Sequence, residues 1–420
     1  MAKTCKVMIN QLQLGNFVRL PLAWKDHPFL FSNFQLKQQA QIELLKNLNL
    51  EFVFVDLERS KAPPLSAAEA AATQASPAGS TDVLKRDMEK DKRTRIEMQK
   101  KFRRDLQKTE QAFNRSVSIM RNLVGKLRNR PLNAVDDAKD LISNIADQLL
   151  DSNSLVLHLM PDDKQDEGFY YHSLNVAVLS MLVAKEFGWE RSEIETLGMG
   201  ALFHDIGKLK IPSNVLKKST PLTRPEANFI RQHPLFGIEF LRLADTFPKA
   251  ALALIANHHE FLDGSGFPRG LEEKDLSKLC QLIAVVNQYD TLCHPAPQTK
   301  AKTPYAALGY LYKHFKTKLN PSYVGSMIKM LGIYPPGSLV ELSNGQFGMV
   351  MAVNLEQLLL PRVLVYDALV PKDQAAIIDL KEHELTIVRC LPPSALPKKI
   401  HQYLNPRERV SYYFGDNNPA

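Results

Sequence analysis

Five of the chain's 11 histidines lie in the middle of the chain, within or beside segments that have the composition of apolar helices. His172 lies in YYHSLNVAVLSMLVAKEFG, His204-Asp205 closes LGMGALFHD, and His258-His259 closes ALALIANHH. Apolar helices pack into a common core, and burying several ionisable groups there is costly unless something pairs with them. The pattern therefore predicts a helical domain built around a polar centre.

Imidazoles and carboxylates together form a nitrogen and oxygen ligand set that suits iron, manganese, zinc or nickel. His233 closes a further helix, and Asn287 and Asp290 lie on the apolar stretch LIAVVNQYDTL. An aspartate beside a histidine can bridge two ions, and two such ions would serve phosphoester hydrolysis. Lys208 would suit a phosphate oxygen, although a lone lysine at a helix end is more often only solvated.

Composition excludes several other classes of protein. The chain has 420 residues, of which 45% are hydrophobic and 23% charged, as in ordinary globular proteins. The four cysteines form no CxxC pair, so a zinc ribbon or disulfide framework is not expected. No apolar run approaches the ~18–20 residues of a spanning helix, and the N-terminus lacks the apolar core of a secretory signal. We therefore expect a cytoplasmic protein with no membrane span.

The net charge of +8 belongs to one segment. Residues 82–130 hold 16 lysines and arginines against seven acidic residues, and the rest of the chain is close to neutral. No basic face is implied for the folded domains, so we expect no nucleic acid polymer as a partner.

Apolar or near-apolar residues recur in steps of three and four through this basic segment, which predicts an amphipathic helix. Pro131 should end or kink it, and a second helix should run from Asn133 to about Leu150. Two interpretations stay open: the apolar stripe packs on the chain's own core, or it forms a parallel coiled coil that makes the chain a homodimer. The stripe comprises Met98, Phe102, Leu106, Thr109, Phe113, Val117, Met120, Val124 and Leu127.

The expected fold class is mainly α, with an all-helical domain flanked by smaller mixed and β-rich parts. The stretch EFVFVDL at 51–57 predicts a strand, Thr223-Arg-Pro-Glu226 predicts a helix start by its capping box, and Asn344-Gly345 predicts a hairpin. The predicted parts are an α/β domain at 1–58, an Ala/Pro/Ser linker at 59–81, linking helices at 82–150, the almost entirely helical domain at 151–334, and a β-rich segment with a tail at 335–420.

Several of these motifs resemble the HD-GYP family of the HD phosphohydrolase superfamily. HDIGK at 204–208 is the superfamily's hallmark, and HHEFLDGSGFPRGL at 258–271 is similar to the family's HHExxDGxGYPxGL stretch. HSLNV at 172–176 and LTRPEANFIRQHPLFG lie in the family's order, so the resemblance covers about 165–334. LQLGNFVRLPLAWKDHPFLFSNF is similar to a small domain of uncharacterised role that often precedes HD-GYP domains in bacteria.

The resemblance implies hydrolysis of cyclic di-GMP to pGpG, or onward to GMP, by a hydroxide held on divalent metal ions. Iron or manganese would be the first choice, with nickel or zinc as alternatives. The loop containing GFP would be a candidate contact for GGDEF-type diguanylate cyclases. The implied ligands are His172, His204, bridging Asp205, His233, His258, His259 and Asn287, and the implied substrate contacts are Lys208, Asp263, Gly264, Gly266, Lys300 and Lys302.

Four positions depart from the family pattern. VADxYDAL appears as VVNQYDTL, so a ligand aspartate becomes Asn287, which can still ligate through its carbonyl oxygen but without charge. Gly168 replaces the glutamate of trinuclear members, so two metal ions are expected. Phe267 replaces the tyrosine of GYP and keeps only the ring. An RPYR-like stretch that supplies a substrate arginine is missing, and Lys300 or Lys302 would have to substitute for it.

Two function classes stay open at this point. The retained ligands favour a phosphodiesterase, whereas Asn287 and the missing arginine motivate a receptor that binds the nucleotide or a protein and regulates without turnover. A third hypothesis, an HD phosphohydrolase acting on another nucleotide, is disfavoured because generic HD enzymes lack the GFP loop.

Overall fold

The chain divides into two compact units in the computed structural model. The first comprises Met1–Arg103 with Val365–Ile377, and the second comprises Arg104–Leu364 with Ile378–Ala420. The structure describes residues 4–22, 26–29, 31–48, 50–72, 81–127, 129–151, 155–160, 168–242, 244, 246–295, 299–353, 357–368, 370–372, 375–404 and 411–416.

The first unit contains a four-stranded antiparallel sheet and a covering helix. In chain order the elements are β1 (Thr4–Met8), β2 (Phe17–Arg19), β3 (Asn33–Gln35), α1 (Gln39–Lys46) and β4 (Phe52–Asp56), and the strand order is β1-β4-β2-β3. Because alternate residues of a strand face opposite sides, β4 buries Val53 and Val55 while Phe52 and Phe54 stay half-buried. The strand predicted at 51–57 is therefore confirmed.

Two further helices begin in this unit. α2 (Ala67–Ala72) lies inside the predicted linker, of which residues 73–80 fall outside the described residues. α3 (Thr81–Leu127) is a helix of 47 residues. Near its start Met88 packs against the core of the first unit, and Lys92 is buried with its Nζ donating to the His27 carbonyl oxygen at 2.6 Å. The basic segment is thus partly an internal element of this unit.

The C-terminal part of α3 belongs to the core of the second unit. Its buried apolar side chains between Phe113 and Leu127 belong to the same core as those of α4 (Pro131–Asp151), and Phe113 and Met120 are fully buried. Pro131 is the first residue of α4, where its missing N–H costs nothing. Here the interpretation that the stripe packs on its own core is correct. Met98, Phe102 and Leu106 lie outside the described side chains, and the coiled-coil dimer remains a prediction.

The second unit is a bundle of helices around a central apolar one. α5 (Gly168–Glu186) buries every side chain from Ser173 to Ala184, as expected of a helix that is apolar on all sides. The capping box is confirmed, because Thr223 Oγ1 accepts from the Glu226 amide and the Glu226 carboxylate accepts from the Thr223 amide. The following helices are α6 (Arg191–Phe203), α7 (Ser213–Leu216), α8 (Arg224–Ile230), α9 (His233–Leu241), α10 (Lys249–Asn257), α11 (Lys278–Cys293), α12 (Pro304–His314) and α13 (Pro321–Leu331).

One segment of the predicted helical domain is a strand. Leu155–Met160, β5, pairs antiparallel with Ser411–Asp416, so the expectation of an almost entirely helical stretch is wrong here. The strand's partner lies about 250 residues later in the chain, and a local pattern carries no signal of such a pairing.

The predicted β-rich segment is a five-stranded sheet. It contains β6 (Leu339–Leu342), β7 (Phe347–Ala352), β8 (Arg362–Val365), β9 (Ile377–Asp379) and β10 (Ile387–Leu391) in the order β10-β6-β7-β8-β9, followed by α14 (Lys398–Leu404) and then by β11, the 411–416 strand. The hairpin is confirmed, because β6 and β7 pair around Asn344-Gly345 and Gly345 has a φ of 75° that glycine adopts without strain. None of the described helices is long and apolar enough to cross a membrane.

We expect Phe113→Ala to lower the free energy of unfolding of the helical unit by about 3–5 kcal/mol, because it empties a fully buried site on α3. Phe229→Ala, at a 41% exposed position, should cost about 0.5 kcal/mol or less. Urea denaturation followed by circular dichroism measures both. Equal effects would place this part of α3 outside the folded core.

Candidate metal centre

The HD motif follows the end of α6 and enters a 3-10 turn at Ile206–Lys210. This turn packs against the beginning of α9, and the contact requires Gly207. A Cβ there would lie 1.9 Å from the His233 carbonyl oxygen and 2.5 Å from the Gly237 nitrogen. The glycine of HDIGK therefore brings Asp205 to His233.

The Asp205 carboxylate is buried between two groups of imidazoles. Its Oδ2 lies 3.3 Å from His172 Nε2 and 3.6 Å from His204 Nε2. Its Oδ1 lies 3.1 Å from His233 Nε2 and 3.8 Å from His258 Nε2. Two clusters thus share one carboxylate, and the second also contains His259.

Three of these imidazoles are oriented by carbonyl groups at helix ends; for His233 the carbonyl belongs to the end of α8, because the helix expected to close at His233 ends at Ile230 and α9 begins at His233. His204, His233 and His258 each place Nδ1 at 2.7–2.8 Å from the carbonyl oxygen three residues earlier, where a helix end leaves carbonyls unpaired. A carbonyl only accepts, so Nδ1 carries the proton and Nε2 presents its lone pair to Asp205. The accepting carbonyls belong to Ala201, Ile230 and Ile255.

His172 is oriented differently, because it lies within α5. Its Nδ1 is 2.5 Å from Oδ2 of Asp290 on α11. Asp290 also accepts from the side-chain amide of Asn175 through Oδ1 and from His294 Nδ1 through Oδ2, the latter at 3.2 Å. These contacts turn the Nε2 of His172 toward the Asp205 centre.

The donor set fits a pair of metal ions. The Nε2 atoms of His172 and His204 are 3.0 Å apart, and those of His233 and His258 are 3.1 Å apart. Lone pairs at such distances repel unless a proton or a cation lies between them. Oδ1 of Asp205 is buried and accepts no hydrogen bond from the described residues, which is unfavourable for a carboxylate without a cation.

Electrostatics keeps most of the imidazoles in the neutral form that binds metal. Burial lowers the pKa of His204 to about 4, against the opposing effect of the Asp205 carboxylate. Burial and the neighbouring imidazoles hold the pKa values of His258 and His259 well below their usual range. At neutral pH these three rings are therefore uncharged.

Asp205 and His172 carry charge instead. Burial disfavours the Asp205 carboxylate, but Lys208 and His204 outweigh it and hold its pKa well below the usual value. Burial also opposes a charged His172, but the carboxylates of Asp290 and Asp205 outweigh it and raise the pKa of His172 to about 9.

The loop after the histidine pair supports His259. The Phe267 ring stacks on the His259 imidazole with centroids 4.4 Å apart. Glu260 is buried and accepts from the backbone amides of Arg269 at 2.7 Å and Leu271 at 3.1 Å. The ring at the position of the family's tyrosine therefore contacts a candidate ligand, and this contact needs no hydroxyl.

Of two other predicted residues, Lys208 contacts Asp205 directly, and Asn287 is buried three residues before Asp290. Lys208 places Nζ 2.5 Å from Oδ2 of Asp205 and keeps about a third of its side chain exposed, 31%. Asn287 is buried on α11, and its Oδ1 accepts from the Thr291 hydroxyl at 3.5 Å.

Two of the predicted substrate contacts in loops, Asp263 and Lys302, have partners within the chain. Asp263 Oδ1 accepts from the amide and hydroxyl of Ser265, and Gly264 follows with a φ of 74°. Lys302 places its ammonium over the Tyr310 ring, 4.4 Å from the centroid. A Cβ on Gly266 would lie 2.4 Å from the Glu260 Cα, so this glycine allows close packing, and Lys300 is exposed at the surface.

Sequence reasoning placed Asp290 among the candidate polar residues without a specific role, and it assigned no role to Asn175 or Glu260. A helical signal was present for two of them. Asn175 lies three residues after His172, and Asp290 lies three residues after Asn287, so each shares a helix face with a predicted ligand. The role of Glu260 depends on a loop that returns to it, which local spacing does not reveal.

Comparison with known families identifies both halves of the chain. A family described as "HD domain" matches residues 140–323. Residues 140–323 form an HD domain. Residues 4–138 match a family described as "Domain of unknown function (DUF3391)". The resemblance and the mainly α fold class predicted from the sequence are confirmed. HD-domain phosphohydrolases depend on metal ions, in agreement with the histidine and aspartate clusters.

Three curated relatives are similar to this chain. Cyclic di-GMP phosphodiesterase PA4108 of Pseudomonas aeruginosa is 29% identical over 86% of this chain and 84% of its own. Cyclic di-GMP phosphodiesterase response regulator RpfG of Xanthomonas campestris pv. campestris is 34% identical over 35% of this chain and 39% of its own. 3'3'-cGAMP-specific phosphodiesterase 3 of Vibrio cholerae is 29% identical over 39% of this chain and 35% of its own. The last two matches span little more than a third of either chain.

We expect metal binding to release about one proton per chain at pH 7.5, because His172 is protonated below a pKa of about 9 and must free Nε2 to bind an ion. The release should disappear as the pH rises through about 9. Calorimetric titration of the metal-free protein with Mn²⁺ in two buffers of different ionisation enthalpy measures it. A His172→Gln control should abolish it, and no buffer dependence at pH 7.5 would contradict the assignment.

Proposed function

We propose that this chain is a metal-dependent phosphodiesterase that hydrolyses cyclic di-GMP to pGpG, to GMP, or to both. The observation that carries the proposal is the buried Asp205 carboxylate, whose two oxygens face two separate groups of imidazoles. The name of PA4108, a relative matched over most of both chains, supports a cyclic dinucleotide as substrate.

The proposed cofactors are two divalent ions, iron or manganese first and nickel or zinc as alternatives. His172, His204 and Oδ2 of Asp205 would hold one ion. His233, His258, His259 and Oδ1 of Asp205 would hold the other, and Asn287 would add a neutral oxygen ligand to the centre. When bound, such a pair lowers the pKa of a water molecule and stabilises charge on phosphoryl oxygens.

The protein's own contribution is preorganisation. Because three imidazoles are locked through Nδ1, their Nε2 atoms would need no reorientation to hold the ions. Lys208 is assigned to a phosphate oxygen, because its ammonium group is partly exposed and lies beside Oδ2 of Asp205.

Other substrate and partner contacts belong to the same proposal. The loop with Asp263, Gly264 and Gly266 is assigned to the nucleotide by its backbone. Lys300 or Lys302 is assigned to the second phosphate in place of the family's arginine. The GFP loop is proposed as the contact for GGDEF-type cyclases, and the part of the 82–130 helix that precedes Phe113 is proposed as the homodimer contact.

Asp205→Asn should lower the metal content from about two ions per chain to below one and turnover by at least about 10³-fold, because it removes the shared charge. Elemental analysis of anaerobically purified protein and chromatography of products from cyclic di-GMP and 3'3'-cGAMP measure both effects. Asp275→Asn, at an exposed position before α11, is the matched control. If the wild-type protein holds two ions and binds cyclic di-GMP but forms no product from it, the chain would be a receptor instead.

Restoring the family's aspartate tests Asn287. We expect Asn287→Asp to tighten the weaker ion by about 10-fold or more, because a carboxylate adds charge where an amide adds only a dipole. Mn²⁺ titration and initial rates at limiting Mn²⁺ measure the change. Unchanged affinity would show that position 287 contributes no ligand to the centre.

A further inference from the structure

Asp290 is a buried carboxylate that lies outside the proposed set of metal ligands. It is fully buried on α11, and both its oxygens are engaged. Oδ2 accepts from His172 Nδ1 at 2.5 Å and from His294 Nδ1 at 3.2 Å, and Oδ1 accepts from the Asn175 amide. A carboxylate held at both oxygens has a fixed orientation.

Helix geometry explains why these four side chains meet. His172 and Asn175 are three residues apart on α5 and therefore share a helix face. His294 directly follows the last residue of α11, four residues after Asp290, and its ring reaches back to the same carboxylate. Asp290 therefore meets two donors from α5 at once. One of them is a candidate metal ligand, and the other fixes the carboxylate that faces this ligand.

His172 needs such a partner because it lacks the device that orients its counterparts. His204, His233 and His258 use an unpaired carbonyl at a helix end. Within α5 the carbonyls near His172 are taken by the helix's own hydrogen bonds. Without Asp290, either ring nitrogen of His172 could carry the single proton of the neutral form, and only one of the two tautomers leaves Nε2 free.

We propose that Asp290, held by Asn175, is a positioning residue that fixes the ring orientation and tautomer of His172 for metal binding beside Oδ2 of Asp205. The inference deepens the proposed function, since it concerns the same centre, but it does not depend on the identity of the substrate. It predicts that Asp290 affects only the binding of the ion beside Oδ2 of Asp205. The ion held by His233, His258 and His259 should be unaffected.

A purely structural role makes a different prediction. If Asp290 only joins α5 to α11, its loss should lower the melting temperature and leave the number and affinity of bound ions unchanged in the folded protein. A positioning role changes the metal affinity of the folded protein at one subsite, by about 10–100-fold as for other residues that orient ligands.

Asp290→Asn is the main test, because it keeps the shape and can present an N–H to His172 Nδ1. That contact would move the ring proton to Nε2 and block metal binding there. Titration of the metal-free full chain with Mn²⁺ alone should show one ion bound as in the wild type and the other bound about 10–100-fold more weakly. Turnover should recover at high Mn²⁺, whereas a lost structural contact would not be restored by metal.

The Asn175→Asp, Asp290→Asn double variant provides a rescue. A carboxylate at position 175 draws the amide N–H of residue 290 and leaves its carbonyl oxygen to accept from His172 and His294. We expect most of the lost Mn²⁺ affinity to return. Asp275→Asn remains the control with wild-type binding.

Wild-type affinity for both ions in folded Asp290→Asn would overturn the inference. If that variant does not fold, Asn175→Ala keeps both charged partners and loosens only Oδ1, so unchanged Mn²⁺ affinity there would overturn it equally. The Mn²⁺ readout needs no substrate. Wild-type protein that binds two ions but does not hydrolyse cyclic di-GMP would therefore reject the proposed function and leave this inference standing.

Discussion

The helical unit is arranged around one buried charge, the carboxylate of Asp205. Removing a carboxylate from water is costly; protonated His172 and Lys208 offset this cost at Oδ2, whereas Oδ1 accepts no hydrogen bond from the described residues. The surrounding helices are correspondingly placed: α6 ends at the HD pair, α9 begins at His233, and α10 ends at His258. Helices that begin or end at the centre therefore supply both the imidazole side chains and the carbonyl groups that accept from their Nδ1 atoms.

The two halves of the centre are built differently. On the Oδ1 side, carbonyl groups at helix ends and the stacked Phe267 ring orient the imidazoles, so contacts between residues close in the sequence set the ring orientations. On the Oδ2 side, His172 lies within a helix and depends on a carboxylate from another helix. The Oδ2 side also carries Lys208, whose Nζ lies 2.5 Å from that oxygen.

The long basic helix also has two environments along its length. In its first part Met88 packs against the core of the N-terminal unit and Lys92 is buried, and its last part buries Phe113 and Met120 in the helical core. The charge surplus that suggests nucleic acid therefore belongs to a helix that is partly structural. An apolar stripe alone does not distinguish packing within a chain from packing between chains, because both bury the same face.

The sequence by itself determined the helical class, the histidine and aspartate set, the capping box at Thr223 and the hairpin at Asn344-Gly345, because each depends on spacing within a few turns of chain. The family resemblance added the order in which these motifs combine. Only the tertiary structure decided that Asp290 and Asn175 support His172, that Glu260 anchors the loop beneath Phe267, and that residues 155–160 form a strand with 411–416. Each of these contacts joins residues through the folding of the chain, from about nine positions apart at Glu260 to about 250 in the strand pair, and no local periodicity encodes which distant groups will meet.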